Sequence, residues 1–343
     1  MLVLISKSDC EQSTDEVIDW LFFKDQNYER INGADFLENC FSIILTNNSK
    51  SFSIHKNKTI ENLFNVENKN FLWFRRWYNG VINIKRRSLF SPNIKEKNKI
   101  GGSIALRTHI KNERKVLSDW ILHHLHKNNY SLNSCGFKDL NKLEVLEQAS
   151  KIGLTIPETI ITNSKCELIT FLNNHGRIIT KALGDGMMYM GNAGGAIMYT
   201  EEVTAELINK LPQHFGVSLF QSLLEKEFEL RIFYLDNKFY SMAIFSQSNT
   251  KTAIDFRRYD YSNANRCVPF TLPKKLKQKL RGLLKQIDLQ CASIDMVYTY
   301  DNKYVFLEIN PIGQFGMVSK PCNYYLEKKV ADFLIRKAKH IYE

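Results

Sequence analysis

The sequence predicts an α+β (α/β) fold with more than one lobe, and three observations support this class. Helical patterns alternate with short strand patterns along most of the chain, as in mixed α/β proteins. The composition is that of an ordinary globular protein, with 44% hydrophobic and 24% charged residues. A length of 343 residues is enough for two or three lobes with cores of their own.

The first 99 residues predict an N-terminal α/β lobe. The basic stretch from Lys85 to Lys99 contains Pro92 and is predicted to be a loop or linker that closes this lobe. The elements predicted before it are a buried strand at 2–6, a helix begun by a capping box at 13–16, a hairpin at 41–54 and an aromatic strand at 71–77.

The remaining chain, 100–343, predicts helices interleaved with strands and carries the candidate site residues. We expect helices at 104–126, 141–152, 164–174, 273–287 and 323–341. We expect strands at 156–162, 177–181, 196–200, 218–224, 228–235 and 238–246, and a hairpin at 290–310.

The predicted hairpin near the C-terminus carries a candidate metal site. Glu308 and Asn310 are two residues apart in a strand pattern, so their side chains point to the same face. Asp295 lies on the preceding strand pattern and joins them if the two strands pair. Three oxygen-donor side chains on one sheet face suit Mg²⁺, which keeps waters and takes phosphate oxygens as further ligands.

The strand pattern ending in Lys181 runs into a glycine-rich connection that contains Gly184 and Gly186. Glycines allow backbone N–H groups to approach phosphates, and a lysine at a strand end supplies a positive charge. The segment is not a Walker A motif, because no Gly-Lys-Ser/Thr follows. An ordinary glycine-rich turn explains the same pattern. Likewise, Lys142 begins a predicted helix, where a lysine is usually solvated.

A second cluster suggests a nucleotide-binding strand followed by charged residues. An apolar strand edge offers backbone N–H and C=O groups to an adenine ring, and Glu229 could accept hydrogen bonds from ribose hydroxyls. Glu229 and Arg231 share one strand face, so a cross-strand ion pair explains them equally well. The strand residues concerned are Gln221, Ser222, Leu223 and Leu224.

Arg257 lies in the polar stretch Asp255-Phe256-Arg257-Arg258-Tyr259-Asp260. Arginine binds phosphates and carboxylates through two parallel hydrogen bonds. Taken alone, this stretch is better explained as a surface loop with ion pairs.

Charge and cysteine content limit the compartments and partners. The net charge of +11 agrees with an anionic substrate as well as with a nucleic acid, but the basic residues are scattered. The seven cysteines are isolated and form no CxxC pair, which favours reduced thiols in the cytoplasm. The apolar start is too short for a signal peptide and no run is long enough to span a membrane. We expect neither a nucleic-acid nor a membrane partner.

The order of these features resembles that of the ATP-grasp ligases. Lys142 comes first, then Lys181 with its glycines, then the 221–224 strand with Glu229 and Arg231, then Arg257, then the acidic hairpin. The resemblance implies two α+β subdomains, near 131–215 and 216–343, that hold ATP between them. It implies that Lys142 and Lys181 contact ATP, that 221–224 is the adenine hinge, and that Asp295, Glu308 and Asn310 bind Mg²⁺.

Further motifs resemble one branch, the graspetide (microviridin-type) synthetases. They include Glu229-Leu230-Arg231-Ile232, Asp255-Phe256-Arg257-Arg258 and Glu308-Ile309-Asn310-Pro311, and the segment 316–324 is similar to the grasp-with-spasm maturases. The resemblance implies activation of Asp or Glu side chains of a ribosomally made precursor peptide as acyl phosphates. Attack by Ser or Thr hydroxyls, or by Lys amines, then gives ω-ester or ω-amide macrocycles. A leader contact is expected in the N-terminal lobe or at a strand edge near it, because the ATP lobes are otherwise accounted for, and a homodimer is an expectation for this family.

Other functions remain open at this point. A ligase that adds an amino acid to a protein or small-molecule acceptor would use the same ATP site. A binding protein with a degenerate ATP-grasp fold is a second alternative, against which the intact lysines and acidic hairpin argue. A nucleic-acid binder rests on net charge alone.

Overall fold

The computed structural model describes residues 1–7, 11–33, 41–47, 50–54, 69–76, 104–133, 140–184, 186, 188–191, 194–258, 260 and 262–341. Contacts divide the chain into two compact units. The first comprises Met1–Phe137 with Glu327–Glu343, and the second comprises Lys138–Leu326. The lobe boundaries predicted at 99/100 and 215/216 stay predictions.

The first unit is built on a parallel four-stranded sheet. Its strands run in the order β2-β1-β5-β6, and every neighbouring pair is parallel. Strand β1 is buried along its whole length, as expected for a parallel strand covered on both faces. The elements are β1 (Leu2–Ser6), α1 (Gln12–Phe23), β2 (Tyr28–Asn32), the hairpin β3 (Phe41–Leu45) and β4 (Lys50–Ile54), β5 (Phe71–Phe74), α2 (Ile104–Asn128) and β6 (Tyr130–Leu132).

The start of helix α1 differs from the prediction. The helix begins at Gln12 with Glu11 as its N-cap residue, so the capping box predicted at Ser13 is wrong. Glu11 is buried, forms an ion pair with Arg76 and accepts a hydrogen bond from Thr14 Oγ1 at 3.0 Å. The N-cap residue is thus fixed by a tertiary ion pair as well as by a contact within the helix. The stretch from Lys85 to Lys99 lies outside the described residues.

In the described residues, the second unit contains a two-stranded antiparallel hairpin and two larger antiparallel sheets. One has the strand order β11-β8-β12-β7 and the other β15-β14-β13-β16-β17. Its strands are β7 (Thr159–Ser164), β8 (Ile178–Lys181), β9 (Met188–Gly191), β10 (Gly194–Ile197), β11 (Glu201–Glu202), β12 (His214–Ser222), β13 (Lys226–Leu235), β14 (Lys238–Phe245), β15 (Arg266–Phe270), β16 (Cys291–Thr299) and β17 (Tyr304–Asn310). Its helices are α3 (Lys142–Lys151), α4 (Lys165–His175), α5 (Ala205–Lys210), α6 (Lys274–Gln286) and α7 (Gly316–Ser319). The last helix, α8 (Leu326–Lys339), belongs to the first unit except for its first residue.

Local sequence explains several of these elements. Helix α6 buries Leu276, Leu280, Leu283 and Leu284, which recur at helical spacing and form its apolar face. Strand β15 lies at the edge of its sheet. Proline has no backbone N–H, and at an edge strand Pro269 does not interrupt the hydrogen bonds between the inner strands.

Several parts of the second unit differ from the prediction. A strand forms near the one expected at 196–200, but β10 spans Gly194–Ile197 and pairs with β9 in a hairpin, and β11 follows separately. Helices α5 and α7 and strands β9, β11 and β15 were not predicted. Helix α5 spans only Ala205–Lys210, which is too short for a clear helical period.

Within the described chain, no helix has both the length and the apolar character needed to cross a bilayer.

Candidate active site

The predicted hairpin near the C-terminus exists, and it brings the acidic residues together. Strands β16 and β17 are antiparallel, with Asp295 opposite Glu308 and Ser293 opposite Asn310. The register shifts next to Asp295, which is a β-bulge and is common beside functional sites. The three predicted metal ligands therefore lie at one end of one hairpin.

Asp295 forms an ion pair with Arg231 across β13 and β16. The two residues are direct cross-strand partners, and Arg231 Nη1 donates to Asp295 Oδ1 at 2.5 Å and also to Oδ2. Their side chains are only 12% and 19% exposed. Burial raises the pKa of Asp295. The nearby carboxylate of Glu308 raises this pKa further, although Arg231 opposes both effects. The sequence left open a cross-strand ion pair on strand β13. In the structure Arg231 forms that pair with Asp295.

Glu308 connects the hairpin to the start of helix α3. Lys142 Nζ lies 3.5 Å from Glu308 Oε2 and donates to the carbonyl oxygen of Gly184 at 2.9 Å. Burial opposes the ionisation of Glu308, but Lys142, Lys181 and Arg257 outweigh burial and lower its pKa. Lys142 is therefore not a purely solvated helix-start lysine, because it links a carboxylate to the glycine-rich connection.

Lys181 ends strand β8, and its ammonium group has no counter-ion in contact among the described residues. This group makes neither a hydrogen bond nor an ion pair with any of them, and the side chain is partly buried. Burial lowers its pKa, with Glu308 and Asp295 opposing and Lys142 reinforcing that effect. Lys181 thus lies within electrostatic reach of the acidic hairpin without pairing with it.

Of the two predicted site glycines after Lys181, Gly184 leaves room beside the backbone and Gly186 does not. A Cβ on Gly184 would meet nothing within 4 Å, whereas one on Gly186 would lie 3.3 Å from Met198 O. Neither glycine has the left-handed φ that excludes other residues. Open space beside Gly184 suits the approach of a ligand to the backbone. Asp185 lies outside the described residues.

The predicted adenine hinge, residues 221–224, begins at the end of β12 and continues beyond the four-stranded sheet. Gln221 is buried, and its Nε2 donates to Thr159 Oγ1 at 2.9 Å. Ser222 N and Leu223 N donate to neighbouring strand segments, at 3.0 Å and 2.8 Å. Leu224 makes no hydrogen bond with any described residue, so its backbone N–H and C=O can bind a planar base.

Glu229 is buried in a local network. Its Oε1 accepts from Lys226 Nζ at 2.8 Å and from Ser246 Oγ at 2.8 Å. Burial raises its pKa, and Lys226 and Ser246 oppose that increase. The contribution of Lys226 was missed from the sequence, where a lysine at a strand start carries no distinctive signal.

Arg257 is held by Asp255 through two parallel hydrogen bonds. Arg257 Nε donates to Oδ1 at 2.8 Å and Nη2 donates to Oδ2 at 2.6 Å. Asp255 is 5% exposed and also accepts from Thr200 N at 3.0 Å, while half of the arginine side chain is exposed. The loop is therefore held in place by hydrogen bonds to the buried Asp255 carboxylate and is not a simple surface ion pair. Tyr259 lies outside the described residues.

Asn310 lies at the exposed end of β17, where the chain turns back. Its Oδ1 accepts from Ile312 N at 3.0 Å and its backbone oxygen from Gly313 N at 3.2 Å. A Cβ on Gly313 would lie 2.1 Å from Ser293 Oγ, so only glycine fits there. This close approach holds the turn against β16, and the sequence alone did not reveal it.

Solved structures resemble this chain over nearly its whole length. The macrocyclase MdnC from Microcystis aeruginosa MRC, bound with the precursor peptide MdnA, matches with a TM-score of 0.75 at 23% identity, covering 98% of this chain and 100% of that one. A RiPP-associated ATP-grasp ligase from Chryseobacterium gregarium, in complex with ADP and a leader and core peptide, matches with a TM-score of 0.74 at 23% identity, covering 98% and 97%.

The chain has the ATP-grasp fold. A more distant match, D-alanyl-alanine synthetase A from Vibrio cholerae, has a TM-score of 0.55 at 12% identity and covers 99% of this chain and 97% of that one. No protein-family model and no curated protein matches the chain. The predicted fold class is confirmed.

The donor set of this ATP-grasp fold suits Mg²⁺ in number and chemistry. The described residues include no group of three His, Cys, Asp or Glu side chains that could hold a metal. The candidate set is instead two carboxylates and one carboxamide, Asp295, Glu308 and Asn310, on paired strands. Such a set fits an ion that keeps waters or phosphate oxygens as its remaining ligands. Arg231 already forms an ion pair with the Asp295 carboxylate, so Arg231 and Mg²⁺ would share this carboxylate.

Proposed function

We propose that this protein is an ATP-dependent carboxylate ligase that cyclises a ribosomally made precursor peptide. It activates Asp or Glu side chains of the peptide and joins them to Ser or Thr hydroxyls, or to Lys amines, as ω-esters or ω-amides. The chain-long likeness to ATP-grasp ligases supports this proposal, because two of them are bound to precursor or leader and core peptides.

The observation that carries the ATP half of the proposal is the partly buried Lys181. It has no counter-ion in contact among the described residues, yet it lies within electrostatic reach of Glu308 and Lys142. A cation removed from water without a partner is unfavourable unless an anion arrives. The phosphates of ATP are such an anion, and a lysine at a strand end binds them as a point charge.

The other site residues take roles that follow from their positions. We assign phosphate contacts to Lys142, Lys181, Gly184 and Gly186, the adenine hinge to Gln221, Ser222, Leu223 and Leu224, and a ribose contact to Glu229. Asp295, Glu308 and Asn310 would hold Mg²⁺. When bound, Mg²⁺ neutralises phosphate charge and aligns the transferred group. Arg231 and Arg257 would hold the peptide carboxylate or the acyl phosphate.

The chemistry has two steps. A carboxylate oxygen of the peptide attacks the γ-phosphorus of ATP, the bond to the β-phosphate oxygen breaks, and ADP leaves. A hydroxyl or amine then attacks the acyl carbon, inorganic phosphate leaves, and the nucleophile loses its proton. The guanidinium groups of Arg231 and Arg257 reduce the repulsion between the peptide carboxylate and the phosphates, which is the main electrostatic barrier to the first step.

The peptide and cellular context are part of the same proposal. The leader segment would bind residues 1–99, and unchanged peptide affinity after their deletion would remove this assignment. A homodimer and a cytoplasmic location are also proposed. Four described cysteines, Cys166, Cys267, Cys291 and Cys322, are free thiols, as in a reducing compartment.

Mass spectrometry of a peptide encoded beside this protein tests the proposal. After incubation with ATP and Mg²⁺, we expect the peptide to lose one water per ring and ATP to become ADP. A mass gain equal to an added amino acid would instead favour the alternative ligase. Failure to bind ADP or ATP would point to a degenerate ATP-grasp protein. Binding to nucleic acid that weakens with salt is the outcome expected of a nucleic-acid binder.

A further inference from the structure

Lys226 at the start of strand β13 is a buried lysine that no role in the site accounts for. Its side chain is 9% exposed, and lysines are rarely so buried unless they are paired. The ammonium group donates to Glu229 Oε1 at 2.8 Å and to the carbonyl oxygen of Ile254 at 3.0 Å. Lys226 therefore joins strand β13 to the segment that precedes Arg257.

Two points of the segment 246–258 are fastened to Glu229. Ser246 Oγ donates directly to Glu229 Oε1 at 2.8 Å, whereas Ile254 is attached through Lys226. Between these points Thr252 is buried, and its Oγ1 donates to Ser246 O at 2.9 Å. The part from Ser246 to Ile254 is therefore anchored to one buried carboxylate, and the segment also contacts Thr200, Glu201 and Asn265.

The anchored end of the segment leads directly to the arginine. Ile254 precedes Asp255, which holds the guanidinium of Arg257 by two parallel hydrogen bonds. The hydrogen bond to Asp255 raises the pKa of Arg257, and Glu308 and Asp295 raise it further. The guanidinium thus lies within electrostatic reach of the acidic hairpin. Asp255 is also held by Thr200 N, so the Lys226–Ile254 contact is one of two fastenings that position Asp255 and with it Arg257.

We propose that Lys226 is a positioning residue, which fastens Ile254 to β13 and thereby helps to hold Asp255 and Arg257 in position. Lys226 acts through the Ile254 carbonyl and Asp255, and its own ammonium is occupied by protein groups. The activity part of this inference rests on the proposed function. The anchoring part rests on the contacts alone.

The anchoring part is tested by amide hydrogen exchange on the full chain. In Lys226→Met, we expect the amides of residues 252–258 to exchange about tenfold faster, because Ile254 loses its donor and the local opening free energy falls. The matched control is Lys151→Met, which removes an exposed lysine paired with Glu147 and should leave this segment unchanged. Unchanged exchange in Lys226→Met overturns the inference.

The activity part is tested by a double-mutant cycle with Arg257. Lys226→Met also leaves Glu229 without its cation, and the cycle cancels that effect because both backgrounds share it. We expect kcat at saturating ATP to fall about 10- to 100-fold in the wild-type background and to change little in an Arg257→Ala background. Equal losses in both backgrounds overturn a role through Arg257. If the wild type ligates no peptide while exchange still rises, the proposed function fails and the anchoring stands.

Discussion

The four-stranded and five-stranded sheets of the second unit differ in how their buried charges are compensated. The five-stranded sheet neutralises its buried charges in pairs, Arg231 with Asp295 and Lys226 with Glu229. In the described part of the four-stranded sheet, Lys181 is partly buried without a pair. These two pairs are compensated within the five-stranded sheet, whereas Lys181 gains from binding an anion. The contrast separates charges that hold strands together from a charge that awaits a ligand.

The largest expected effect is the loss of ligation when the acidic hairpin loses a charge. Glu308→Gln keeps the shape of the side chain but removes the negative charge that faces Lys142 and would bind Mg²⁺. We expect peptide ligation to fall at least about 100-fold, as measured by product formation with ATP and Mg²⁺. Glu147→Gln, at an exposed ion pair on helix α3, is the control and should retain activity. Normal ligation by Glu308→Gln would remove Glu308 from the metal site.

Substitutions of the two cations should change stability in opposite directions. Arg231→Met leaves the Asp295 carboxylate without its partner, and we expect the free energy of unfolding to fall by about 3 kcal/mol. Lys181→Met removes an unpaired cation, and we expect the unliganded protein to gain about 1 kcal/mol. Urea denaturation without nucleotide measures both. ADP titration should show weaker binding in Lys181→Met.

Equal destabilisation by the two substitutions would contradict the contrast between the sheets. It would mean that Lys181 has a stabilising partner after all.

A smaller effect is expected at the turn that follows β17. In Gly313→Ala the new methyl group would overlap Ser293, whose Oγ and Cβ lie 2.1 Å and 2.3 Å from the ideal Cβ position. We expect a loss of about 1–3 kcal/mol in the free energy of unfolding. Gly282→Ala in helix α6 is the matched control, because nothing lies within 4 Å of its Cβ position. There the same substitution should stabilise the helix by up to about 1 kcal/mol. Restored stability in Ser293→Gly/Gly313→Ala would confirm the overlap.

The smallest expected effect is on the pH dependence of stability. The folded-state pKa of Glu308 is lowered, because Lys142, Lys181 and Arg257 outweigh its burial. Its stabilising contribution is therefore complete above the usual glutamate pKa of about 4.3 and disappears as the pH falls through the lower folded pKa. The stability difference between wild type and Glu308→Gln should shrink over this acid range in denaturation curves. A difference that is constant with pH would show that Glu308 is not held ionised by these cations.

Sequence patterns determined much of the local structure. The pattern at 273–287 predicted helix α6, and two buried-strand patterns on either side of the turn Asp301-Asn302-Lys303 predicted the β16–β17 hairpin, because such patterns depend on near neighbours in the chain. The order of lysines, hinge and acidic residues along the chain also indicated the ATP-grasp fold. The short elements α5 and β15 carried too little periodic signal to be predicted.

Only the tertiary structure decided which charged groups meet. It placed Lys142 against Glu308 and Gly184 and formed the ion pair between Asp295 and Arg231. It left Lys181 unpaired among the described residues. It also placed Lys226 against Ile254, a contact across 28 positions of sequence that no local pattern encodes. The physical reason is that pairing and burial set the energy of a charge, and both depend on packing between distant segments. A sequence specifies which side chains are ionisable, but the fold determines which of them remain in need of a ligand.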